Sequence, residues 1–498
     1  MSSPDTTNQA GAKAAAGAGA ILAFVCVGQL MVFLDITIVN LALPSIQRGL
    51  DMSDVSLNYV VTAYATVLGG FLLLCGRLAD TYGRRRLLQI GMTLFALASA
   101  AAALSQNGTM LVIARGFQGL GSAMVATSAL SILTNTFPEG PERNKALGIW
   151  GSLSGIAGVI GVMLGGILAD GPGWEWIFWI NVPIGLAVAA LATRVLPESF
   201  AERRRRFDFA GAITLTAALL LLIFTLGEST RVGWASARTI GGLIGVAVLF
   251  ALFLAIESRT AEPVIPLQLF RLRTMATANI SAIFAFGAMS AMFFFISIFM
   301  QKSFGYSPLK AGFAYVPVAV CVAIGAGVAS NMVKIARPVL MVGLLMMSGG
   351  LLLMWRAPSD GSYLVDLLPA FILIGIGTGI IYVTLQIAAF VGIRNEDAGV
   401  GAGLYNTSQE IGGALGLAVI ATIAYSGLAE KMAEAAGDAA QLLQVETDAL
   451  HKAFFADALL ALAALLVVAL VMPRKKIEEI PPEFAGPAAP TEANLEKK

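Results

Sequence analysis

About fourteen times along this chain, an apolar run of roughly twenty residues is closed off by a short charged or glycine-containing turn, and a run of that length is what a helix needs to cross a bilayer. In lipid every backbone polar group must be satisfied within its own segment, so runs of this kind fold as spanning helices. The expected fold is all-α, a polytopic membrane protein of about fourteen transmembrane helices. Composition agrees, with 57% hydrophobic and 13% charged residues and a mean hydropathy of +0.80. The first run, from Ala20, continues to Leu43 and carries Asp35, so it reads as a spanning helix and not as a cleaved signal.

With the amino terminus placed inside, roughly three-quarters of the 32 Lys and Arg fall on the inner face, the asymmetry expected of cytoplasmic loops. Both termini are then inside, in a multi-pass protein of the cell membrane. The expected organisation is a leader at 1–19, a six-helix bundle at 20–196, a basic linker with two additional helices at 197–274, a second six-helix bundle at 275–472 and a disordered tail at 473–498. A faint repeat relates Pro141–Gly161 to Arg394–Gly416, each running from a charged turn into a glycine-rich helix, which supports two pseudo-symmetric halves.

Several function classes drop out. The net charge of +1 and the lack of a basic face argue against nucleic acid. Cys26, Cys75 and Cys321 fall in spans, which speaks against a disulfide framework. One histidine, His451, and scattered cysteines make neither a metal cluster nor a nucleophilic site for an enzyme. A channel calls for a repeated filter, against which the charge asymmetry of the halves speaks. No nucleotide-cradling G-x-x-x-x-G-K-[ST] loop is present, so no cofactor is expected.

The loop GRLADTYGRRR, Gly76–Arg86, lies between two long apolar runs. Its glycines, Gly76 and Gly83, permit a tight turn, Asp80 can sit at a helix end, and Arg84, Arg85 and Arg86 can reach carboxylates on neighbouring helices. Such a turn reads as a clasp, or more plainly as a positive-inside loop. In the first span, LDITIVNLALP holds Asp35 at membrane depth, where a carboxylate is expensive and by default functional. Loss of water favours a neutral carboxyl in general, which makes a proton-binding role one reading and a permanent structural pair the other.

In the fourth span Arg115, Gln118, Gly119 and Ser122 share one helix face. Arg115 and Asp35 both lie about 9 Å below the outer boundary at 1.5 Å rise per residue, so they can share one hydrogen-bonded network. The fifth span carries Gly151, Gly155, Gly158, Gly161, Gly165 and Gly166 along a stripe suited to close helix packing. In the thirteenth, Asn406, Gln409, Glu410 and Gly413 share a face, with Glu410 roughly 18 Å from the inner end. Glu410 reads as a second buried acid able to hold a proton or cationic cargo, or as a hydrogen-bonded structural glutamate. Met292 and Phe293, in FAFGAMSAMFFFISIFM, suit an adaptable apolar wall, lipid contact or core packing being the plainer reading.

These stretches resemble signatures of the major facilitator superfamily. Gly76, Leu78, Ala79, Asp80, Gly83, Arg84 and Arg85 fill G-x-L-a-D-r-x-G-r-[RK], which in that family marks the cytoplasmic gate. Leu34, Asp35, Thr37, Val39, Asn40, Ala42, Leu43 and Pro44 fill the L-D-x-T-[IV]-V-N-x-A-L-P signature of drug:proton antiporters of the fourteen-helix branch, and Arg115, Gln118 and Gly119 match an R-x-x-Q-G element tied there to proton coupling. Val162 stands where the family's fifth-helix proline would be, Glu175 replaces an arginine in WEWIFWINVPIG, and Gln409 and Glu410 replace Arg-Gln. The tryptophans of that stretch are expected at the outer interface.

The resemblance implies a proton-coupled secondary transporter exporting lipophilic drugs or antibiotics, the alternative being a dedicated exporter of one endogenous metabolite or antibiotic. Its expected partners are protons, the bilayer and a small lipophilic substrate, neutral or cationic, with the protein acting as a monomer. Asp35, Arg115 and Glu410 are the proton-coupling candidates, and Gln118, Asn406, Gln409, Met292 and Phe293 the substrate-cavity candidates. Independently of the resemblance, the repeat of the charged turns suggests that Asp397 faces the arginines of the clasp across the inner side and completes the gate, an unpaired cytoplasmic aspartate being the plainer reading.

Overall fold

A computed structural model describes residues 4–473 apart from 139, 201–207, 261–264, 266–271, 333–335, 360, 392, 394–396 and 436–437. The expected tail and the cluster Arg203–Arg206 therefore lie outside the described residues, save residue 473. Everything regular that is described is helical. The chain runs through α1 (Pro4–Gly49), α2 (Asp54–Tyr82), α3 (Arg84–Ala103), α4 (Gly108–Thr136), α5 (Pro141–Asp170), α6 (Trp176–Trp179) and α7 (Asn181–Val195). Next come α8 (Phe209–Val232), α9 (Ala237–Glu257), α10 (Arg273–Lys302), α11 (Pro308–Ala314), α12 (Val316–Asn331) and α13 (Ala336–Trp355). A π-helical turn at Tyr363–Leu367 opens α14 (Leu368–Phe390), and α15 (Ala398–Tyr425), α16 (Leu428–Glu434) and α17 (Ala439–Val471) complete the series.

Among the described residues, thirteen helical tracts are long and apolar enough to cross a membrane. The fifth expected span falls on α5, a continuous helix of 30 residues. Helix starts follow local chemistry. Asn107 Oδ1 accepts from the Met110 N–H at 2.9 Å and Asp208 Oδ1 from the Gly211 N–H at 2.9 Å, each satisfying a donor that its helix leaves unpaired.

Helices α1 to α7 pack chiefly on one another, as do α10 to α17, and the two groups meet along α2–α15 and α5–α12. Small residues set these seams. A β-carbon on Gly76 would strike the Gly399 carbonyl, and one on Gly403 would lie 2.8 Å from the Leu72 carbonyl oxygen, so the α2 and α15 backbones touch. On the other seam, Gly155 faces Val322 and the Ala319 carbonyl of α12.

The two additional helices are α8 and α9. Helix α8 packs on both α2 and α15, whereas α9 lies outside α8 and exposes Ile240, Ile244, Val248 and Leu252. At the turn between them, Trp234 Nε1 donates to Thr422 Oγ1 of α15 at 2.7 Å.

Candidate functional site

Five helices converge on one carboxylate in the first group. Arg115 Nη1 on α4 donates to Asp35 Oδ2 on α1 at 2.5 Å and to Gln118 Oε1 at 3.0 Å, while its Nε donates to the Val60 carbonyl at 3.2 Å. Gln118 Nε2 donates to Asp35 Oδ1 at 3.3 Å and to Ser99 Oγ of α3 at 2.7 Å. Asn181, the first residue of α7, donates from Nδ2 to Asp35 Oδ1 at 3.0 Å. The Arg115 guanidinium carbon stands 4.2 Å from the Tyr64 ring centroid, and the Tyr64 hydroxyl pairs with Ser122 Oγ at 2.8 Å. All of these side chains are buried.

Glycines on α4 make this convergence possible. A β-carbon on Gly119 would lie 2.5 Å from the Tyr64 carbonyl oxygen and one on Gly121 2.8 Å from that of Gly91, so α4 sits directly against α2 and α3. The common depth read for Asp35 and Arg115 thus corresponds to a direct ion pair. Asn181, Tyr64 and Ser99 are members that the sequence reading missed. Asn181 had a signal, as a polar residue opening a spanning helix inside WEWIFWINVPIG, but that stretch was read for its tryptophans. Of these, Trp176 is 52% exposed while Trp174 is buried with its indole against Gly49, so Trp174 packs inward and is not an interface anchor.

The second constellation closes the α2–α15 seam at the end where α2 turns into α3. Asp80 Oδ1 accepts from Arg84 Nη2 at 2.9 Å and from the Gly399 N–H at 3.0 Å, and Oδ2 accepts from the Val400 N–H at 3.0 Å. Asp80 therefore sits at a helix end, that of α15 in the other group, where the free amides and the helix dipole favour a carboxylate. Asp397, which directly precedes α15, is buried two residues from this contact. Glu198, also missed in the sequence, plays the matching part for α3. Its Oε1 accepts the Arg85 N–H at 3.1 Å, and its Oε2 lies 3.5 Å from Arg85 Nε and 3.6 Å from Arg86 Nε.

Gly83 joins the two helices at φ +112°, and a β-carbon there would lie 2.7 Å from Glu198 Oε1. Gly83→Ala is accordingly expected to cost about 1–3 kcal/mol. Thermal unfolding in detergent micelles checks this, and an unchanged midpoint would show that the turn relaxes.

The α15 face reaches the junction of both groups with α8. Asn406, Gln409, Glu410 and Gly413 are all half-buried, and Glu410 Cβ packs against Gly69 of α2. Unlike Asp35, Glu410 has no ion pair among the described residues. Met292 is fully enclosed in the second group, whereas its neighbour Phe293 is 43% exposed with its ring 5.8 Å from that of Tyr315. The two therefore do not share one wall here. On α5, Gly151 meets Val383 of α14, Gly155 meets α12, Gly161 packs on Thr37 of α1, and Gly158 faces open space. Gly165 and Gly166 lie further along the same helix.

Two packed helical groups with a buried ion pair in one and a capped seam between them are the frame of a membrane carrier. Residues 25–417 match the Major Facilitator Superfamily, and the chain belongs to that family. It is a multi-pass membrane transporter and not an enzyme. The multidrug resistance protein Stp of Mycobacterium tuberculosis is 36% identical over 398 residues, 80% of this chain and 74% of that one. The puromycin resistance protein pur8 of Streptomyces alboniger is 34% identical over 423 residues, 83% of each chain. In fold, the human organic anion transporter MFSD10 superposes with a TM-score of 0.67 at 15% identity, covering 91% of this chain and 99% of that one.

Proposed function

We propose that the chain is a proton-coupled antiporter that exports lipophilic small molecules, cargo outward and proton inward, by alternating access of the two helical groups. The observation that carries the reading is Asp35, a buried carboxylate whose three side-chain neighbours, Arg115, Gln118 and Asn181, all act as donors toward it. These donors sit on α4 and α7 and the carboxylate on α1, so any exchange of partners at Asp35 requires α4 and α7 to move against α1, which ties the group to the alternating movement of the carrier. The clasp serves as the gate: with Asp80 on the α15 amides, the α2–α15 seam is shut at that end. By the positive-inside asymmetry this end is cytoplasmic, with both chain termini on the same side. The carrier works as a monomer in the cell membrane, driven by the proton gradient without a cofactor.

A second reading, export of one endogenous compound, is favoured by the relative named for puromycin alone, while the relative named for multidrug resistance stands at similar identity. Proteoliposomes with an imposed pH gradient and a panel of tetraphenylphosphonium, ethidium, puromycin and neutral antibiotics test both. Proton release driven by several compounds supports the broad antiporter, release by one supports the dedicated exporter, and none with any compound removes proton coupling.

Glu410, half-buried and without an ion pair among the described residues, is proposed to receive the charge of cationic cargo. Glu410→Gln is expected to lower transport of tetraphenylphosphonium at least ~10-fold, equivalent to about 1.4 kcal/mol of lost pairing, and to spare neutral compounds. Equal losses for both cargo types would remove the assignment.

A further inference from the structure

The two helical groups repeat one another closely enough to be read residue against residue. On α4, Gly119 approaches the Tyr64 carbonyl of α2 and Gly121 the Gly91 carbonyl of α3; on α14, Gly375 approaches the Val318 carbonyl of α12 and Gly377 the Gly343 carbonyl of α13. That register sets Phe371 where α4 has Arg115, Ile374 where it has Gln118, and Leu351 of α13 where α3 has Ser99. Along α1 the buried positions Val25, Gly28, Val32, Asp35 and Val39 match Ala285, Ala288, Met292, Phe295 and Phe299 of α10, so Phe295 stands in the place of Asp35. Phe178, Asn181, Gly185, Val188 and Ala192, from α6 into α7, match Phe454, Asp457, Ala461, Ala464 and Val468 of α17, all of them buried. Asp457 therefore stands in the place of Asn181.

The second group has thus kept the architecture of the polar centre and replaced its partners by hydrocarbon. Phe295, Leu351, Phe371 and Ile374 are almost completely enclosed. Asp457, which the register sets in this centre, is 1% exposed, and neither of its carboxyl oxygens has a hydrogen-bond partner among the described residues. Its neighbourhood is held tightly. One turn before it, the Phe454 ring packs 5.7 Å from that of Phe299 on α10, and beside it the Ala458 carbonyl accepts from Ser348 Oγ of α13 at 3.5 Å.

Charged groups stand away from it along the chain. Between their terminal Arg273 and Lys302, α10 carries no titratable side chain, and on α13 there is only Arg337, which bonds the Ala469 carbonyl three turns further along α17. Helix α15 brings Tyr405, Glu410 and Tyr425. On α17 itself, His451 and Lys452 precede by more than a turn, with Glu446 and Asp448 earlier still, and α16 holds Glu430, Lys431 and Glu434 beyond that end.

We infer that Asp457 is a second proton site, in the carboxyl-terminal group, that takes up and releases one proton per transport cycle. An unpaired charge in these surroundings has nothing to offset its lost hydration. A proton is the cation that needs no cavity to reach such a group. When α10 and α17 part, the O–H bond breaks, the proton passes to water and the carboxylate is hydrated; closure requires a proton back. This rests on the antiporter reading above and extends it from one exchanging carboxyl to two.

The test is the proton-to-substrate ratio, taken from reversal potentials in proteoliposomes loaded with the most active compound of the panel. Asp457→Asn, which copies Asn181, and Asp457→Leu, which suits the apolar shell, are both expected to lower the ratio by one proton and to flatten one step of the pH profile while transport continues. Infrared difference spectra of the purified protein across pH are expected to contain a protonated-carboxyl band that survives Asp35→Asn and disappears in both Asp457 variants. An unchanged ratio with the band intact in the variants overturns the inference and leaves the antiporter standing. Absence of any proton movement in the unmodified protein removes both.

Discussion

Asp35→Asn is expected to end coupled export. A proton moving down a 100 mV potential supplies about 2.3 kcal/mol, which sustains roughly a fifty-fold gradient of a neutral solute. Without the α1 carboxylate, that gradient should fall to none, and substrate-dependent proton release in proteoliposomes should drop to background. The substitution also leaves a buried guanidinium without its carboxylate, and breaking a buried pair from one side costs about 3–5 kcal/mol. Here the loss is softened, because Arg115 keeps Gln118, the Val60 carbonyl and the Tyr64 ring. A thermal midpoint measured beside the flux separates the two effects: a folded variant without proton release supports the coupling role, and undiminished release in a folded variant ends it.

Asp80→Asn should act on the conformational equilibrium. The carboxylate holds Arg84 and two α15 amides at once, and an asparagine keeps one acceptor for those three donors. If about 3 kcal/mol of this closure is lost, the ratio of closed to open forms at that end shifts on the order of a hundred-fold. Spin labels at Tyr82 on α2 and Asn331 on α12, one in each group, should report a longer and broader distance distribution in the variant. Transport should slow as well, since a gate that stays open cannot complete the cycle. Identical distributions in variant and parent would assign Asp80 to stability alone.

Periodicity and hydropathy made most of the helix series readable, because lipid demands the same solution of every span. Asp35, Arg115 and Gln118 were readable as a group since each is costly where it lies and the first two share a depth. What pairs with them across the chain was less readable. Asn181 comes from a turn whose composition speaks of an interface, and Glu198 follows α7 in a segment with no periodicity at all. Arg84, at the start of α3, pairs with Asp80 of α2, while Arg85 and Arg86 turn to Glu198. Local pattern constrains which residues must be satisfied, and only the tertiary arrangement decides by whom. The repeat between the groups was visible in their charged turns, but the replacement of a polar centre by aromatic and aliphatic side chains emerged from backbone approach distances.

The α8–α9 hairpin makes the molecule lopsided in the plane of the membrane. With α8 packed against α2 and α15, and Trp234 fastened to Thr422, the α2–α15 seam is covered on its outer side by a further pair of helices. The opposite flank, along α5 and α12, has no such screen among the described residues. Surrounding lipid therefore meets an added helical layer beside one seam and the seam helices themselves beside the other, so the two sides of the carrier present unequal thicknesses of protein to the bilayer.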